Sequence, residues 1–596
     1  MEEVSVVVRE PAACPECGVA MKVQKTVRRH GRTLAHGRFE VEETIYVCRS
    51  ECRQEGKPVT TRSTQLAQLL VPHCTVGYDV MVYIGCQRFV HHRQREEIRE
   101  QLDKQYGIDL SAGEVSALAQ RFLIYLEKLH WQSAPVLRAA LEADGGWPLH
   151  VDATGEDGRG TVVTILAGWR GWVLSAWKAP TERAEFVLPG MRRVTEAFGA
   201  PCAIMRDLGR AMTEAANEFV QSLDKPIPVL ACHQHFLADI GKDLLEDGHN
   251  QLRSLFRQIK LRPQLRSFAR QLGSRLGESI EEGREAMNRW LKASDLSQPI
   301  PEGVGGITAV RSLAQWILNV RDDGTGQGFP YDLPWFDLYA RCLFISSALP
   351  TFLQALPDDA AVRKALKKLK RILEPIEQDQ IPLFAVGEAL RKRADFFNRL
   401  RDALRLEDGE KDSIKKLNDV QTSLKRLTRA LRKERPQRGP AQDVRRAIDI
   451  ILTHLESHGS YLSGHIISMP GNKGEIRLVA RTNNILEGLF HTIKHGERRR
   501  SGRKILTQDF EALPATAVLA ANLCQPDYVN LICGSLDHLA HAFAQLDAGD
   551  RSRSIASSKV PDITKIETAS LSTADKKIIR QPLFQARILA AAQAAQ

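Results

Sequence analysis

Between residues 147 and 248 the apolar positions fall into short runs separated by glycine turns or by amphipathic stretches. Five runs predict strands: WPLHVDAT, GTVVTILAGW, GWVLSAWKA, PCAIMRD and IPVLACHQHF. A turn at Arg170-Gly171 joins the second and third, and helical patterns precede the fourth and fifth. Strands that start as hairpins and then alternate with helices indicate a mixed α/β sheet. The pattern ends the first strand on Asp152 and the fourth on Asp207.

The segment 76–132 has the apolar spacing of three helices. The second helix is expected to end at Gly107, and the third to begin after Ser111, which is a favourable cap. Two short helices joined through YGIDLS fit a helix-turn-helix, whose second helix would start near Ala112 and enter a major groove. A small packing domain is the alternative.

A helical pattern dominates residues 250–470. From Ile414 to Leu431, apolar residues recur at steps of three, four or seven, which predicts a buried stripe. Lys and Arg residues accompany this stripe, and such a run is most often a solvated helix face. Two loops are expected, at 321–335 and 435–443. The polar, serine-rich tail after 549 is expected to be flexible.

The charge balance favours an anionic partner. The 596 residues include 83 Lys and Arg against 72 Asp and Glu, a formal net charge of +11. Such a surplus is typical of proteins that bind nucleic acid, although many proteins of this size are mildly basic. No apolar run reaches the roughly 18 residues of a membrane span, and the N-terminus lacks the layout of a signal peptide. We therefore expect a cytoplasmic protein with no membrane partner.

Four of the eleven cysteines form two close pairs, Cys14-x2-Cys17 and Cys48-x3-Cys52, separated by thirty residues. Two such pairs on separate turns match the thiolate ligands of tetrahedral Zn²⁺. The residues between them alternate like two strands around an HGR turn. This pattern predicts a zinc ribbon, with four reduced structural cysteines as the alternative.

Asp152 and Asp207 would emerge at the rim of the predicted sheet. Carboxylates on adjacent strand ends suit hard cations such as Mg²⁺, which take one or two carboxylates together with water and phosphate oxygens. Two such ions held about 4 Å apart assist in-line displacement at phosphorus. The alternative is that each aspartate merely caps the helix that follows its strand.

The order of these features resembles the DDE transposases, and more narrowly the Mutator-like group and related prokaryotic insertion-sequence transposases. The features in chain order are the cysteine-rich head, the helical segment, HVDAT, IMRD, ACHQHF, a long helical stretch and TNNILEGLF. The resemblance covers roughly residues 10–535. It implies a ribonuclease H-like core in which Asp152, Asp207 and Glu487 are the catalytic residues and bind two Mg²⁺ or Mn²⁺ ions. An all-helical insertion would account for the distance from Asp207 to Glu487.

The fold class expected is thus multidomain α/β. The predicted parts are a zinc ribbon (10–56), a helix-turn-helix-like segment (66–135), the two parts of the catalytic core (146–248 and 473–545), the helical insertion (249–472) and a flexible tail (546–596).

Further site residues follow from the motifs. The resemblance matches Cys232 and His235 to a Cys-x2-His motif, to which we assign a structural role rather than a stable metal. Asn483 and Asn484 would orient Glu487 or touch DNA. A dense cationic cluster follows on the same predicted helix and suits a phosphodiester backbone: Lys494, Arg498, Arg499, Arg500, Arg503 and Lys504.

The resemblance implies a transposase that binds the terminal inverted repeats of a mobile element. It would catalyse metal-dependent cleavage and strand transfer on double-stranded DNA, as a homodimer or larger assembly associated with the nucleoid. One rival is a domesticated, non-catalytic DNA-binding protein, against which the intact carboxylate trio argues. A second is a ribonuclease H-like nuclease without strand transfer, and a third is a helical scaffold with incidental carboxylates.

Overall fold

The computed structural model describes most of the chain. The described residues are 4–11, 13–54, 56–274, 285, 287, 289–291, 306–320, 324–355, 359–377, 382–406, 413–468 and 476–549. They form a multidomain, mixed α/β protein with two compact units. The first unit comprises Met1–Cys232 and Gly464–Gln596, and the second comprises His233–Ser463. The second unit begins and ends earlier than the insertion predicted at 249–472.

The N-terminal region is built on an antiparallel hairpin. Its strands are β1 (Val4–Val8), β2 (Lys22–Thr33), β3 (Gly37–Val47), β4 (Arg53–Gln54), β5 (Lys57–Pro58) and β6 (Thr60–Thr61). β2 pairs with β3 along its length, and β1 pairs in parallel with the other edge of β3. The two strands expected between the cysteine pairs are confirmed. The turn lies at residues 34–36 rather than on an HGR triplet, because residues 30–32 belong to β2 and β3 begins at Gly37.

Five helices follow: α1 (Thr64–Leu69), α2 (Tyr78–Phe89), α3 (Arg95–Tyr106), α4 (Ala112–Gln132) and α5 (Ala134–Ala143). The three helices predicted in 76–132 are confirmed as α2, α3 and α4. Gly107 ends α3 with φ 62°, in the left-handed region that glycine adopts without steric cost. The Ser111 side chain accepts a hydrogen bond from the backbone N–H of Glu114, so the predicted cap of α4 is also correct.

A five-stranded sheet occupies the centre of the first unit. Its elements are β7 (Pro148–Glu156), β8 (Arg159–Ala167), β9 (Trp172–Lys178), α6 (Ala184–Phe198), β10 (Ala203–Arg206), α7 (Arg210–Gln221) and β11 (Val229–Ala231). The strand order is β11-β10-β7-β8-β9. β7, β8 and β9 form antiparallel hairpins, whereas β10 is parallel to both β7 and β11. The mixed sheet predicted from the apolar runs is therefore confirmed, with all five strands.

The described part of the second unit is helical. Its helices are α8 (His233–Gly241), α9 (Asp247–Gln258), α10 (Leu261–Gly273), α11 (Gly306–Leu318), α12 (Pro334–Ala355), α13 (Ala360–Glu377), α14 (Leu383–Leu404), α15 (Ile414–Glu434) and α16 (Gln442–His458), with a π-helical turn at Lys242–Glu246. Leu417, Leu424, Leu427 and Leu431 are buried on α15, as the apolar stripe predicted, whereas Ile414 at its start is 41% exposed.

The chain then returns to the first unit. The remaining elements are β12 (Ile466–Ser468), β13 (Ile476–Leu478), α17 (Asn484–Ser501), α18 (Thr507–Ala512), α19 (Pro526–Cys533) and α20 (Leu539–Gly549), with a 3-10 segment at Ala515–Cys524. α20 contains the first positions of the predicted tail, and residues 550–596 lie outside the described residues. None of the helices that the structure describes combines the length and the apolar character needed to cross a bilayer.

One hydrophobic core joins the early helices, the sheet and the C-terminal helices of the first unit. Phe122 of α4, Ile165 of β8 and Phe543 of α20 all belong to it. Within this core, Asp547 accepts hydrogen bonds from the hydroxyls of Tyr78, at 2.5 Å, and Tyr125. Helices α2, α3 and α4 therefore share a core with the sheet.

Candidate functional site

Asp152 and Asp207 lie at the same edge of the sheet. The parallel pairing of β10 with β7 stops at Met205 opposite His150, and each aspartate comes two residues later along its strand direction. Because adjacent strands lie about 4.8 Å apart, the backbones at the two aspartates are neighbours. β10 ends at Arg206, one residue before the predicted end at Asp207. The prediction that the first strand ends on Asp152 is wrong, because β7 continues to Glu156.

The continuation of β7 has a physical cause. Beyond His150 the strand keeps its hairpin partner, and Asp152 lies opposite Thr164 of β8. The antiparallel ladder with β8 sustains the strand after the parallel ladder with β10 has stopped. β7 is therefore paired with β10 only as far as His150, and the half-buried side chain of Asp152 lies just beyond the end of that parallel ladder.

Backbone N–H groups orient both carboxylates. Asp152 Oδ1 accepts from the N–H of Ala153 at 2.8 Å, and Asp207 Oδ1 accepts from the N–H of Gly209 at 3.1 Å. Gly209 directly precedes α7, so Asp207 braces the turn before this helix, but no side chain caps the first turn of α7 itself. Both side chains are half-buried, which is compatible with capping and metal binding alike.

Asn483 fixes the start of α17 against β7. Its side chain is fully buried; Nδ2 donates to the backbone carbonyl of Val151 at 3.3 Å, and Oδ1 pairs with Nδ1 of His150 at 2.9 Å. Its backbone N–H points at the sulfur of Cys232, at 3.3 Å. Of the two roles expected for Asn483, orientation of Glu487 or contact with DNA, this burial favours the first.

Glu487 is in the first turn of α17 and is half-buried. Its N–H donates to the carbonyl of Asn483 at 3.0 Å. A carboxylate oxygen of Glu487 lies within 4.8 Å of the sulfur of Cys232, the residue that follows β11. Glu487 therefore comes to the edge of the sheet where Asp152 and Asp207 lie.

The three carboxylates are too far apart for all of them to bind one metal ion as the side chains stand. The carboxylate oxygens of Asp152, Asp207 and Glu487 do not all lie within 4.8 Å of one another, whereas two other sets of described residues do meet that distance. A site for two cations about 4 Å apart does not require that proximity, because its ligands bind on different sides of the ion pair. The donor set, three carboxylates beside backbone N–H groups, is the oxygen-rich chemistry that Mg²⁺ or Mn²⁺ takes.

Cys232 is fully buried and joins three chain segments. Its N–H donates to the carbonyl of Arg206 at 2.9 Å, and its sulfur accepts from the N–H of Asn483. These contacts agree with a structural role. His235 lies in the first turn of α8, which belongs to the second unit.

Two residues near the site were not predicted from the sequence. Burial lowers the pKa of His150 to about 4, so the ring is neutral at physiological pH. Partial burial and, secondarily, the charge of Asp207 raise the pKa of Glu182, in the loop before α6. The signal for His150 is its position two residues before Asp152 in HVDAT, where a polar residue interrupts an apolar strand. Glu182 has no comparable signal.

Part of the predicted DNA-binding cluster is engaged within the protein. Lys494 Nζ donates to the carbonyl of Gly155 at 2.8 Å and lies 3.7 Å from a carboxylate oxygen of Glu156. Arg498 lies 3.6 Å from the other oxygen of Glu156. Both cations therefore hold α17 against the end of β7.

Arg500 belongs to a mostly buried ionic network. Glu497 is 2% exposed and accepts from Arg88 of α2 through both carboxylate oxygens, at 2.9 and 3.3 Å. Arg500 donates to Glu497 at 2.8 Å and to Asp509 at 2.7 Å, and Arg503 lies 3.4 Å from Asp509. This network ties the glutamate helix α17 to α2, through side chains that are neutralised in place.

The remaining members of the cluster face solvent. Arg499 and Lys504 are exposed, as is Asn484 at the start of the same helix. A phosphate could reach these predicted DNA-binding side chains without the loss of any ion pair that the structure describes.

The four N-terminal cysteines come together as their spacing predicted. Ligand atoms of Cys14, Cys17, Cys48 and Cys52 all lie within 4.8 Å of one another. The sulfurs of Cys17 and Cys48 are 3.6 Å apart, close to the roughly 3.8 Å expected between thiolates at Zn–S distances of 2.3 Å in a tetrahedron. Hydrogen bonding, first from the backbone of Cys52, lowers the pKa of Cys48 to about 6. The cluster is compatible with structural zinc.

No known family model and no curated protein sequence matches the chain.

Proposed function

We propose that the chain is a DDE-type transposase, which binds the ends of a mobile element and catalyses metal-dependent cleavage and strand transfer of double-stranded DNA. The observation that carries the proposal is the shared edge of the sheet where Asp152, Asp207 and the glutamate helix meet. The resemblance assigns the two aspartates to the first and fourth strands of a ribonuclease H-like core. The first and fourth strands of this sheet are adjacent and parallel, which supports that assignment.

Each part of the site has a definite task in this proposal. Asp152, Asp207 and Glu487 would hold the cations. When bound, two Mg²⁺ or Mn²⁺ ions activate the attacking oxygen and stabilise the leaving oxygen of an in-line displacement. Backbone N–H groups orient the aspartates, and the buried Asn483 keeps the first turn of α17 against β7. The exposed Arg499 and Lys504 suit contact with the DNA backbone.

The N-terminal cysteine cluster would be a zinc ribbon. It is followed by α3 and α4, the pair whose connection fits a helix-turn-helix. We infer that these two parts bind the element ends. Since α2 and α4 share a hydrophobic core with the sheet, DNA bound by the helices would be held at a defined position relative to the carboxylates.

The test is cleavage of end-labelled duplexes that carry the inverted repeats flanking the gene. Wild type is expected to cut and join these duplexes with Mn²⁺ or Mg²⁺, and Glu487→Gln is expected to do neither. Glu218→Gln is the matched control, because Glu218 is an exposed residue of α7 whose side chain is 58% exposed. Equal cleavage by wild type and Glu487→Gln would overturn the site.

The same assay separates the rival functions. Cleavage without joining would favour a ribonuclease H-like nuclease. Repeat-specific binding with no cleavage by wild type, over a range of metal ions, would favour a domesticated DNA-binding protein.

A further inference from the structure

The second unit carries a cationic groove beside α13. Residues 360–373 of this helix contain six Lys or Arg and no Asp or Glu. Leu366, Leu369 and Leu373 are buried, so the amphipathic helix presents its cations to the other side. Sequence reasoning had singled out the basic run on α15 and missed this one, although the absence of any acidic residue is visible in the sequence.

The cations of α13 are arranged in rows. Arg363, Lys367 and Arg371 repeat every four residues and therefore share one face of the helix, over a length of about 12 Å. Lys364 and Lys368 form a second row beside them. Together these five cations line a groove of about 730 Å³, and none of the described residues that line it is acidic.

The groove is formed by two packed helices. Lys368 Nζ donates to Oε1 of Gln271 on α10 at 2.6 Å and lies 5.7 Å from the centre of the Phe268 ring. Gln264 of α10 also lines the groove. The cations are thus held beside a wall rather than spread over an isolated helix, and this concave arrangement distinguishes the surface from an ordinary solvated face.

Some basic residues of the other clusters are neutralised by carboxylates. Arg500 pairs with two carboxylates, and Arg432 on α15 lies 3.0 Å from Glu456. In contrast, the structure gives Lys364, Lys367 and Arg371 no ion pair with any described residue. Their positive potential is therefore available to an external anion.

We propose that this groove binds the phosphate backbone of double-stranded DNA, which makes the helical insertion a second DNA-binding surface. The choice of DNA rests on the proposed function; the need for a polyanion rests on the groove alone. A duplex carries one negative charge per roughly 1.7 Å, so about seven phosphates are present along a 12 Å row of cations. Such contacts hold the duplex without reading its sequence.

The experiment is the salt dependence of binding by the full chain. The probe is a labelled duplex of about 30 base pairs and arbitrary sequence, titrated between roughly 50 and 200 mM NaCl. The test variant combines Lys364→Gln, Lys367→Gln and Arg371→Gln. Each lost phosphate contact makes the slope of log Kobs against log [NaCl] about 0.9 less negative, so the magnitude of the slope should fall by about 2 to 3.

The matched control removes the same charge elsewhere in the unit. Lys425→Gln, Arg426→Gln and Arg429→Gln alter exposed cations of α15 that do not line the groove. We expect the control to keep the wild-type slope, and both variants to keep the wild-type thermal midpoint because the altered side chains are exposed. An unchanged slope in the test variant, or an equal fall in both variants, would overturn the proposal.

Two further arms identify the polyanion and separate this proposal from the catalytic one. Binding of anionic phospholipid vesicles that the α13 substitutions abolish, with an unchanged DNA slope, would assign the groove to membranes and overturn DNA binding. If the DNA slope falls while Glu487→Gln cleaves like wild type, the groove is supported and the catalytic site fails. If the slope is unchanged while Glu487→Gln is inactive, the catalytic site is supported and the groove fails.

Discussion

Nδ1 of His150 donates a hydrogen bond to Oδ1 of Asn483 across 2.9 Å, although 333 residues separate them in the chain. The direction is fixed because Asn483 Nδ2 is already turned toward the carbonyl of Val151, which leaves only the acceptor oxygen for the ring. On the far side of the ring, Nε2 has no hydrogen-bond partner among the described residues, and a Cβ at Gly168 would come within 2.4 Å of it. Two buried hydrogen bonds of Asn483, to His150 and to Val151, thus join the strand of Asp152 to the start of the helix of Glu487.

Replacement of His150 by Leu is expected to destabilise the protein. It would leave the buried Asn483 oxygen without a donor, at a cost of about 1–3 kcal/mol in the free energy of unfolding. His150→Asn should cost less, since its amide nitrogen is attached at the same distance from the backbone as Nδ1. Urea unfolding measures both, and the Leu variant should also need more Mn²⁺ for half-maximal cleavage. Equal losses for the two variants would argue against the hydrogen bond as the cause.

Removal of one N-terminal cysteine is expected to abolish zinc binding. Cys17→Ser takes one ligand from the four-cysteine cluster, and a tetrahedral structural site needs all four. Native mass spectrometry should find one Zn²⁺ per wild-type chain and none in the variant. Cys524→Ser is the control, because Cys524 is an exposed cysteine outside the cluster; loss of zinc there as well would point to another site.

Neutralising Glu497 is expected to be among the most destabilising single changes. Glu497→Gln leaves Arg88, whose side chain is 15% exposed, without its carboxylate. Breaking a buried ion pair in this way costs about 3–5 kcal/mol. Glu42→Gln breaks the surface pair with Arg28, whose side chain is 72% exposed, and should cost under about 1 kcal/mol. Denaturant unfolding of both variants checks the difference, and similar costs would refute the structural importance of the network.

Acid should release the contact between Glu10 and the start of α1. Burial alone would raise the pKa of Glu10. Hydrogen bonds, first from Ser63 and then from Thr64, outweigh this effect and lower the pKa from 4.5 to about 2. A carboxylate with a depressed pKa stabilises the fold fully above about 4.5, and this contribution is lost as the pH falls toward 2.

Hydrogen exchange detected by mass spectrometry on residues 60–70 can follow this loss. Wild type should be better protected than Glu10→Gln at pH 5, and the difference should shrink between pH 4.5 and 2. If the difference in protection between wild type and Glu10→Gln grew as the pH fell, a depressed pKa of Glu10 would not be the cause.

Local sequence determined much of the fold. The helices α2, α3 and α4 were predicted because apolar spacing, the glycine at 107 and the cap at Ser111 act over a few neighbouring residues. The strands and their order of appearance followed from short apolar runs in the same way. The four cysteines were also predicted together, since Zn²⁺ geometry requires such close pairs.

The ends of strands and the partners of charged side chains were harder to predict from the sequence. β7 runs past Asp152 because β8 continues to pair with it there, and a ladder of hydrogen bonds with a distant segment has no local signature. The predicted cluster after Glu487 illustrates the same limit: a sequence shows that Arg500 is positive but not that Glu497 and Asp509 neutralise it.

The sequence by itself determined which residue types are available: three carboxylates, two cysteine pairs and several basic helices. Only the tertiary structure decided their surroundings. It buried Asn483 against His150, engaged Lys494 and Arg498 with Glu156, and left the cations of α13 facing a groove. Helix and strand periodicity depend on neighbours in the chain, whereas burial, ion pairing and accessibility depend on segments that meet only after the chain has folded.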